Sequence, residues 1–201
     1  MIPSFLALLI RLLCGPTVRY VDAIGGTRPR VFFANHSSHL DFLVVWASLP
    51  ADLRSTTRPV AAKDYWSGHV RRLFAVKLFN ALLIERTRST TGDNPVEQML
   101  EALDRQYSLI LFPEGTRGSG DEIASFRAGL YHIAQARPSV ELVPVYLENL
   151  NRILPKGESL PVPLLSYVTF GQPLPSAELQ TKQEFLEGAR QALVGLQAAY
   201  A

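Results

Sequence analysis

Apolar runs with strand character alternate along this chain with segments of helical periodicity. "YSLILF" (107–112) and "VELVPVYL" (140–147) are two such runs, and each follows a helical segment. A continuous apolar run is typical of a strand buried on both faces, and strands that alternate with helices form an α/β fold. The sequence therefore predicts one α/β domain, with a mixed, largely parallel central sheet flanked by helices. A length of 201 residues suits a single domain.

Three segments carry specific local signals. "TVRYVDAI" and "RVFFA" are β-rich and are separated by the turn-forming "GGTRP", which predicts a short hairpin or meander. Asn94, Pro95 and Glu97 have the pattern of a helix start, with an N-cap residue, a proline at the first helical position and a capping box. "GHVRRLFAVKLFNALLIER" predicts a helix that passes into a short strand from Leu82 to Glu85.

The chain opens with the apolar segment "MIPSFLALLIRLLCG", which Arg11 interrupts. A helix of this length spans about 21 Å, less than the roughly 30 Å hydrocarbon core, so we do not expect it to cross a bilayer. A secretory signal is a poor match, because basic residues do not precede the run and no small-x-small site follows. A helix in the membrane interface and an unusually apolar core helix remain, and we favour the first. We therefore divide the chain into an interfacial helix, residues 1–15, and a domain, residues 16–201.

Positive charge is concentrated between residues 51 and 90, although the net charge of the chain is only +2. The basic residues there are Arg54, Arg58, Lys63, Arg71, Arg72, Lys77, Arg86 and Arg88, and the acidic ones are Asp52, Asp64 and Glu85. Such a region attracts anions. Because the basic residues lie among aliphatic rather than stacking aromatic ones, we expect a phosphorylated small molecule or an anionic membrane rather than nucleic acid.

The stretch "FFANHSSHLDF" (32–42) places polar groups where an apolar strand stops. Over the five steps from His36 to Asp41 a regular helix rotates by about 500°, which leaves the two side chains roughly 140° apart. We therefore expect His36 in the turn before a helix and Asp41 in its first turns. Asp41 can then fix the tautomer of an imidazole that acts as a general base. Two alternatives are helix capping by the pair, and a metal site formed by His36, His39 and Asp41.

A second constellation, "LFPEGTR" (111–117), follows the apolar run "YSLIL". Ligands gather at the carboxyl ends of strands in open α/β sheets, which is where this loop is expected. Arg117 can bind a phosphate in a bidentate manner, and Gly115 permits a tight backbone. Glu114 would repel a phosphate, so we expect it to accept a substrate hydroxyl or to hold Arg117. The alternative is an ordinary salt-bridged loop.

Taken together, "NHSSHLD" and "FPEGTR" resemble the glycerolipid acyltransferase family, whose best-known members are bacterial 1-acylglycerol-3-phosphate acyltransferases. "NALLIER" (80–86) is similar to the family's block between these motifs, "LVPVYL" (142–147) is similar to its fourth block, and "FRAG" (126–129) falls at a comparable segment. The resemblance covers nearly the whole chain. One departure is Asn80, which stands where the family usually has Gly.

The resemblance implies transfer of a fatty acyl chain from an acyl thioester, acyl-CoA or acyl carrier protein, to the hydroxyl of a lysophospholipid without a cofactor or metal. The favoured acceptor is 1-acylglycerol-3-phosphate, which gives phosphatidic acid. His36 then deprotonates the acceptor hydroxyl, and Asp41 orients His36. The residues expected to bind substrate are Lys63, Arg86, Glu114, Gly115, Thr116 and Arg117.

The expected location is the cytoplasmic face of the cytoplasmic membrane, as a peripheral or monotopic protein. Cys14 is the single cysteine, so it cannot form an internal disulfide, and we expect it to be an inert packing residue. Acylation of another lyso-lipid, such as lyso-ornithine lipid, a metal-dependent hydrolase, and a lipid-binding protein without turnover remain as alternative functions.

Overall fold

A computed structural model of the chain describes residues 2–26, 28–63, 78–85, 94–120, 122–154, 165–175 and 181–200. Over these ranges the strands are β1 (Pro16–Tyr20), β2 (Arg30–Ala34), β3 (Thr57–Ala62), β4 (Leu82–Ile84), β5 (Ser108–Leu111), β6 (Glu141–Glu148) and β7 (Ser166–Phe170). The helices are α1 (Ile2–Cys14), α2 (Asp41–Ser48), α3 (Ala51–Thr56), α4 (Pro95–Asp104), α5 (Gly129–Ala136), α6 (Leu150–Ile153) and α7 (Lys182–Tyr200).

The described strands form one seven-stranded sheet in the order β1-β7-β6-β2-β5-β3-β4. The pairing of β6 with β7 is antiparallel, and the other pairings are parallel. This confirms the predicted mixed, largely parallel sheet flanked by helices. Because β2, β3, β4 and β5 run in the same direction, the loops that follow them meet at one edge of the sheet.

The central strand β2 is buried on both faces of the sheet, which explains its apolar sequence. All five of its residues are buried. Phe32 packs with the layer that contains α1 and α2, whereas Val31 and Phe33 pack with the layer that contains α4, α5 and α7. Side chains alternate between the two faces of a strand, so a strand covered on both faces is apolar at consecutive positions, here Val31 to Ala34; Arg30, at the start of β2, is buried in an ion pair with Glu141.

The predicted hairpin between residues 17 and 34 is wrong. Strand β1 pairs in parallel with β7, from Pro16 opposite Ser166 to Tyr20 opposite Phe170. Strand β2 pairs instead with β5 and β6, so two strands separate it from β1. The "GGTRP" segment carries a turn signal, but a turn signal does not determine which strand becomes the neighbour. That choice is made by the packing of distant segments.

The predicted start of α4 is confirmed. The Val96 amide donates to Asn94 Oδ1 at 3.0 Å, and Pro95 occupies the first helical position. Glu97 accepts from the side-chain amide of Asn94 at 3.2 Å, so the box closes through the side chain. Strand β4 lies where a strand was predicted. Most of the helix predicted before it lies outside the described residues.

Helix α1 has one side in the core and an exposed apolar side, and its place in a membrane interface stays a prediction. One side contributes Ala7, Ile10 and Cys14 to the core, and burial raises the pKa of the Cys14 thiol. The opposite side exposes Phe5, Leu8, Leu9, Leu12 and Leu13. Among the described helices, none is both long and apolar enough to span a membrane. Placing residues 1–15 in a unit of their own stays a prediction.

Candidate active site

The His36–Asp41 pair has the geometry that the spacing predicted. His36 lies in the loop after β2, and Asp41 is the first residue of α2. His36 Nδ1 lies 2.8 Å from Asp41 Oδ2, and the Asp41 side chain is fully buried. Because a carboxylate oxygen accepts, the Nδ1 nitrogen carries the proton and Nε2 has a free lone pair. The imidazole is therefore held in the tautomer that a general base requires.

The same carboxylate oxygen also fixes the loop that carries His36. Asp41 Oδ2 accepts from the Ser37 amide at 2.7 Å and from the Ser38 amide at 2.9 Å. Three donors thus converge on Oδ2 and offset part of the cost of burying a charged group, whereas Oδ1 is buried without a hydrogen-bond partner among the described residues. Asp41 can therefore satisfy loop amides and orient His36 at the same time, although the start of α2 has no side-chain cap hydrogen bond.

Asn35, the residue that follows β2, bonds through its side chain to the neighbouring strand β6. Its side-chain amide donates to the Leu147 carbonyl at 2.9 Å and accepts from the Leu147 amide at 2.8 Å. The two bonds link the chain to β6 one residue after Ala34, which is the last residue of β2 paired with β6. Asn35 thereby determines where the strand stops and where the His36 loop begins.

The second motif holds the backbone of His36 in place. The His36 amide donates to Glu114 Oε1 at 2.7 Å, and the His36 carbonyl accepts from the Gly118 amide at 2.8 Å. Glu114 Oε2 accepts from the Ala124 amide at 3.1 Å. Both oxygens of Glu114 therefore bind backbone amides.

Glu114 differs in two respects from what the sequence predicted. Glu114 is only 6% exposed. Burial raises the pKa of its carboxyl, and hydrogen bonds from His36 and Ala124 oppose the rise. Neither an interaction with Arg117 nor an open carboxylate is seen; the side chain positions His36 through its amide. A contact of Glu114 with substrate stays a prediction.

The turn after β5 has the tight backbone that Gly115 predicted. The Gly115 amide donates to the Phe112 carbonyl at 3.0 Å, and Gly115 has φ +76°. This region of backbone conformation favours glycine. The Phe112 ring stacks on the His36 imidazole, with ring centroids 4.3 Å apart. Phe112 thus supports the face of the imidazole ring.

Arg117 is held by His39, which the sequence offered only as a possible metal ligand. Its guanidinium donates to His39 Nε2, and both side chains line the same cavity. Since a guanidinium can only donate, His39 Nε2 accepts and carries no proton in this arrangement. A histidine three residues after His36, facing the same loop, is the sequence signal that could have indicated this contact.

A cavity of about 690 Å³ opens beside these groups. His36, His39, Thr116 and Arg117 supply polar lining, whereas α2, β3 and α4 supply apolar lining through side chains such as Leu43, Ala61 and Met99. The size lies within the range of small-molecule sites. One cavity therefore brings a histidine base, a guanidinium and a large apolar surface together.

Comparison with known proteins agrees with this geometry. The family model named Acyltransferase matches residues 16–148. The chain belongs to the acyltransferase family. The matched range holds both motifs and six of the seven described strands, so the earlier resemblance to this family is confirmed.

Curated relatives match the same part of the chain at modest identity. The 1-acyl-sn-glycerol-3-phosphate acyltransferase alpha of Mus musculus is 27% identical over 134 residues, which are 66% of this chain and 45% of the mouse protein. The chloroplastic 1-acyl-sn-glycerol-3-phosphate acyltransferase LPAT1 of Arabidopsis thaliana is 26% identical over 129 residues, which are 64% of this chain and 34% of that protein. The alignments thus span less than half the length of these relatives.

A solved structure shares the fold over the full chain. The crystal structure of the 1-acyl-sn-glycerophosphate (LPA) acyltransferase PlsC from Thermotoga maritima superposes with a TM-score of 0.76. The match covers 100% of this chain and 78% of the other, at 20% identity. At this identity the comparison establishes the fold.

Asn80, which stands where the acyltransferase family usually has Gly, has a backbone conformation that glycine favours. Asn80 has φ +50°, a left-handed conformation that favours Gly and that Asn tolerates better than most residues. Its carbonyl accepts from Arg58 Nε at 2.7 Å. Asn80 therefore has a backbone conformation that glycine adopts readily.

The remaining predicted substrate residues lie along the same edge of the sheet or outside the described part. Lys63 follows β3 and places Nζ 3.3 Å from Glu85 Oε1, after β4. Arg86 lies outside the described residues. The strands that precede Arg86 and Arg117 are β4 and β5, which are not adjacent in the sheet because β3 lies between them. In the described part of the chain, no group of three or more His, Cys, Asp or Glu side chains is placed to hold a metal ion.

Proposed function

We propose that this protein transfers a fatty acyl chain from an acyl thioester to the hydroxyl of a lysophospholipid. The observation that carries the proposal is the His36–Asp41 pair, hydrogen-bonded at 2.8 Å beside a largely apolar cavity that Arg117 also lines. We further propose 1-acylglycerol-3-phosphate as the acceptor, with phosphatidic acid as the product, which makes the enzyme a 1-acylglycerol-3-phosphate O-acyltransferase. The names of the relatives support this choice of acceptor.

The proposed reaction uses His36 as a base and then as an acid. His36 Nε2 accepts the proton of the acceptor hydroxyl while the hydroxyl oxygen attacks the thioester carbonyl carbon. Asp41 stabilises the imidazolium that forms. When the tetrahedral intermediate collapses, the carbon–sulfur bond breaks, and the leaving thiolate takes the proton from His36. The products are an ester and a free thiol, carried on coenzyme A or on acyl carrier protein.

Arg117 is the proposed binding residue for the acceptor phosphate. It lines the cavity that His36 also lines, and His39 holds its guanidinium. Hydrogen bonds from a guanidinium to a phosphate are charge-assisted and directional. An acceptor whose phosphate binds Arg117 and whose hydroxyl reaches His36 is held at two points, which is the requirement for orientation.

Replacing Arg117 by alanine is expected to raise the Michaelis constant for a phosphate-bearing lyso-lipid by about tenfold or more. A tenfold change corresponds to about 1.4 kcal/mol of lost binding free energy. The constant for the acyl donor should change little. Initial rates with lysophosphatidic acid and palmitoyl-CoA measure both constants. Arg105→Ala is a matched control, because Arg105 is an arginine at the exposed end of α4. Equal weakening toward donor and acceptor, or a preference for acceptors without phosphate, contradicts the assignment and favours an amino-acid lyso-lipid such as lyso-ornithine lipid.

We also propose that α1 places the domain on the cytoplasmic face of the membrane as a peripheral or monotopic protein. Phe5 and Leu12 are 69% and 74% exposed, and Leu8, Leu9 and Leu13 extend the same apolar surface. Full burial of such a side chain contributes about 1.5 to 3 kcal/mol. Arg11 donates from Nε to the Ala47 carbonyl at 2.8 Å and ties α1 to α2.

Substituting serine for Phe5, Leu8 and Leu12 together is expected to shift the protein from liposomes to the soluble fraction. Deletion of residues 2–14 is a poorer test, because Ala7, Ile10 and Cys14 belong to the core. The matched control is Phe5→Leu with Leu8→Ile and Leu12→Ile, which keeps the surface apolar. Liposome flotation measures binding, and urea unfolding checks that the fold is retained. Unchanged flotation of the serine variant contradicts a membrane role for this surface.

A further inference from the structure

Arg127 lies across the second motif at the wall of the cavity. Its amide donates to the Pro113 carbonyl at 2.8 Å, so its backbone is tied to the turn that carries Glu114. Its side chain covers Gly115: a Cβ added there would lie 2.9 Å from Arg127 Cζ. Gly115 thus leaves room for a guanidinium over the turn. Arg127 and Arg117 both follow Gly115 in the sequence, and both line the same cavity as this glycine.

The carboxylates near Arg127 are engaged elsewhere. Both oxygens of Glu114 accept from backbone amides. Glu85, the acidic side chain that lines the cavity in the described ranges, is paired with Lys63 at 3.3 Å. Arg127 forms no ion pair with any residue that the structure describes, whereas Arg137, at the other end of α5, pairs with Asp104 at 2.6 Å. A guanidinium at the wall of a substrate cavity thereby keeps its donors available for an anion.

We propose that Arg127 binds a phosphate group of a substrate in this cavity. The inference rests on the proposed function, since that function supplies a phosphorylated substrate. The covered Gly115, the two arginines on one cavity and the engaged carboxylates all favour a group with two negative charges. Two sources present this chemistry: the phosphate of the lyso-lipid, which would then lie between Arg117 and Arg127, and the phosphates of the acyl donor.

A binding measurement without donor separates this inference from turnover. Equilibrium binding of labelled lysophosphatidic acid in detergent micelles is compared for wild type, Arg127→Ala, Arg127→Lys and Arg137→Ala, with the monoacylglycerol of the same chain as the ligand that lacks phosphate. We expect Arg127→Ala to weaken lysophosphatidic acid binding about tenfold, which equals about 1.4 kcal/mol, with Arg127→Lys in between. Arg137→Ala, and monoacylglycerol with any variant, should remain within about twofold of wild type.

A second measurement tests whether Arg127 binds a phosphate of the acyl donor. Michaelis constants are measured for palmitoyl-CoA and for palmitoyl-pantetheine, which lacks the phosphates. If Arg127→Ala raises the constant for palmitoyl-CoA alone and leaves lysophosphatidic acid binding unchanged, Arg127 binds a donor phosphate. If it changes neither ligand, or weakens monoacylglycerol as much as lysophosphatidic acid, the proposal is wrong. Binding of lysophosphatidic acid that depends on Arg127, in a protein without thioester turnover, would support the inference and reject the proposed function.

Discussion

Replacing His36 by alanine is expected to lower acyl transfer by at least ~10²-fold while the protein stays folded. The ring lies in a loop, its side chain is 23% exposed, and it contacts Phe112 and Asp41. The bonds that fix the loop to Glu114 and Gly118 come from the His36 backbone, which alanine retains. The variant therefore removes the base and leaves the loop in place. Initial rates and urea unfolding measure the two effects.

The control for this variant is His132→Ala. His132 is an exposed histidine on α5, outside the cavity lining, so its replacement should leave the rate within about twofold of wild type. A folded His36→Ala protein that keeps more than about a tenth of wild-type turnover would show that His36 is not the base, because a general base contributes at least ~10²-fold.

Replacing Asp41 by asparagine is expected to lower the turnover number on the order of 10²-fold or more, and to cost less stability than replacement by alanine. The amide oxygen of asparagine can occupy the position of Oδ2 and accept from the Ser37 and Ser38 amides. The loop should therefore keep its shape. The change removes the negative charge beside the imidazole, and with it the stabilisation of the imidazolium that forms during the reaction.

Asp41→Ala separates the structural contribution of this side chain from its charge. Alanine leaves the Ser37 and Ser38 amides without their acceptor, and each unsatisfied buried donor costs about 1 to 3 kcal/mol. We expect urea unfolding to show a larger loss of stability in Asp41→Ala than in Asp41→Asn, whose amide nitrogen would lie at the buried position of Oδ1, which has no hydrogen-bond partner among the described residues. Full activity of a stable Asp41→Asn protein would mean that the carboxylate serves only to shape the loop.

Local signals in the sequence predicted those parts of the fold that depend on nearby residues. The Asn94 cap and the strand character of β5 and β6 follow from neighbouring side chains. The partner of β1 does not, because it is a strand about 150 residues later, and local turn residues carry no information about that pairing. The predicted hairpin failed for this reason.

In the candidate site, too, the sequence predicted what depends on nearby residues and missed what depends on distant ones. Spacing alone placed His36 before a helix and Asp41 within it, since helix geometry fixes the angle between residues five apart. The burial of Glu114 could not be predicted, because it depends on the His36 and Ala124 amides, which belong to other parts of the chain. The contacts of His39 with Arg117, and of Arg127 with Gly115, form only in the folded protein, so the sequence did not indicate them.

The central claim, acyl transfer from a thioester to a phosphate-bearing lyso-lipid, is tested most directly by thiol release from palmitoyl-CoA. Wild type and His36→Ala are assayed with lysophosphatidic acid, lyso-ornithine lipid, monoacylglycerol or no acceptor, and the lipid products are identified. The account predicts rapid release with lysophosphatidic acid, formation of phosphatidic acid in equal amount, and loss of both in His36→Ala. Release that is independent of acceptor and yields free fatty acid, or faster transfer to an acceptor without phosphate, would contradict it.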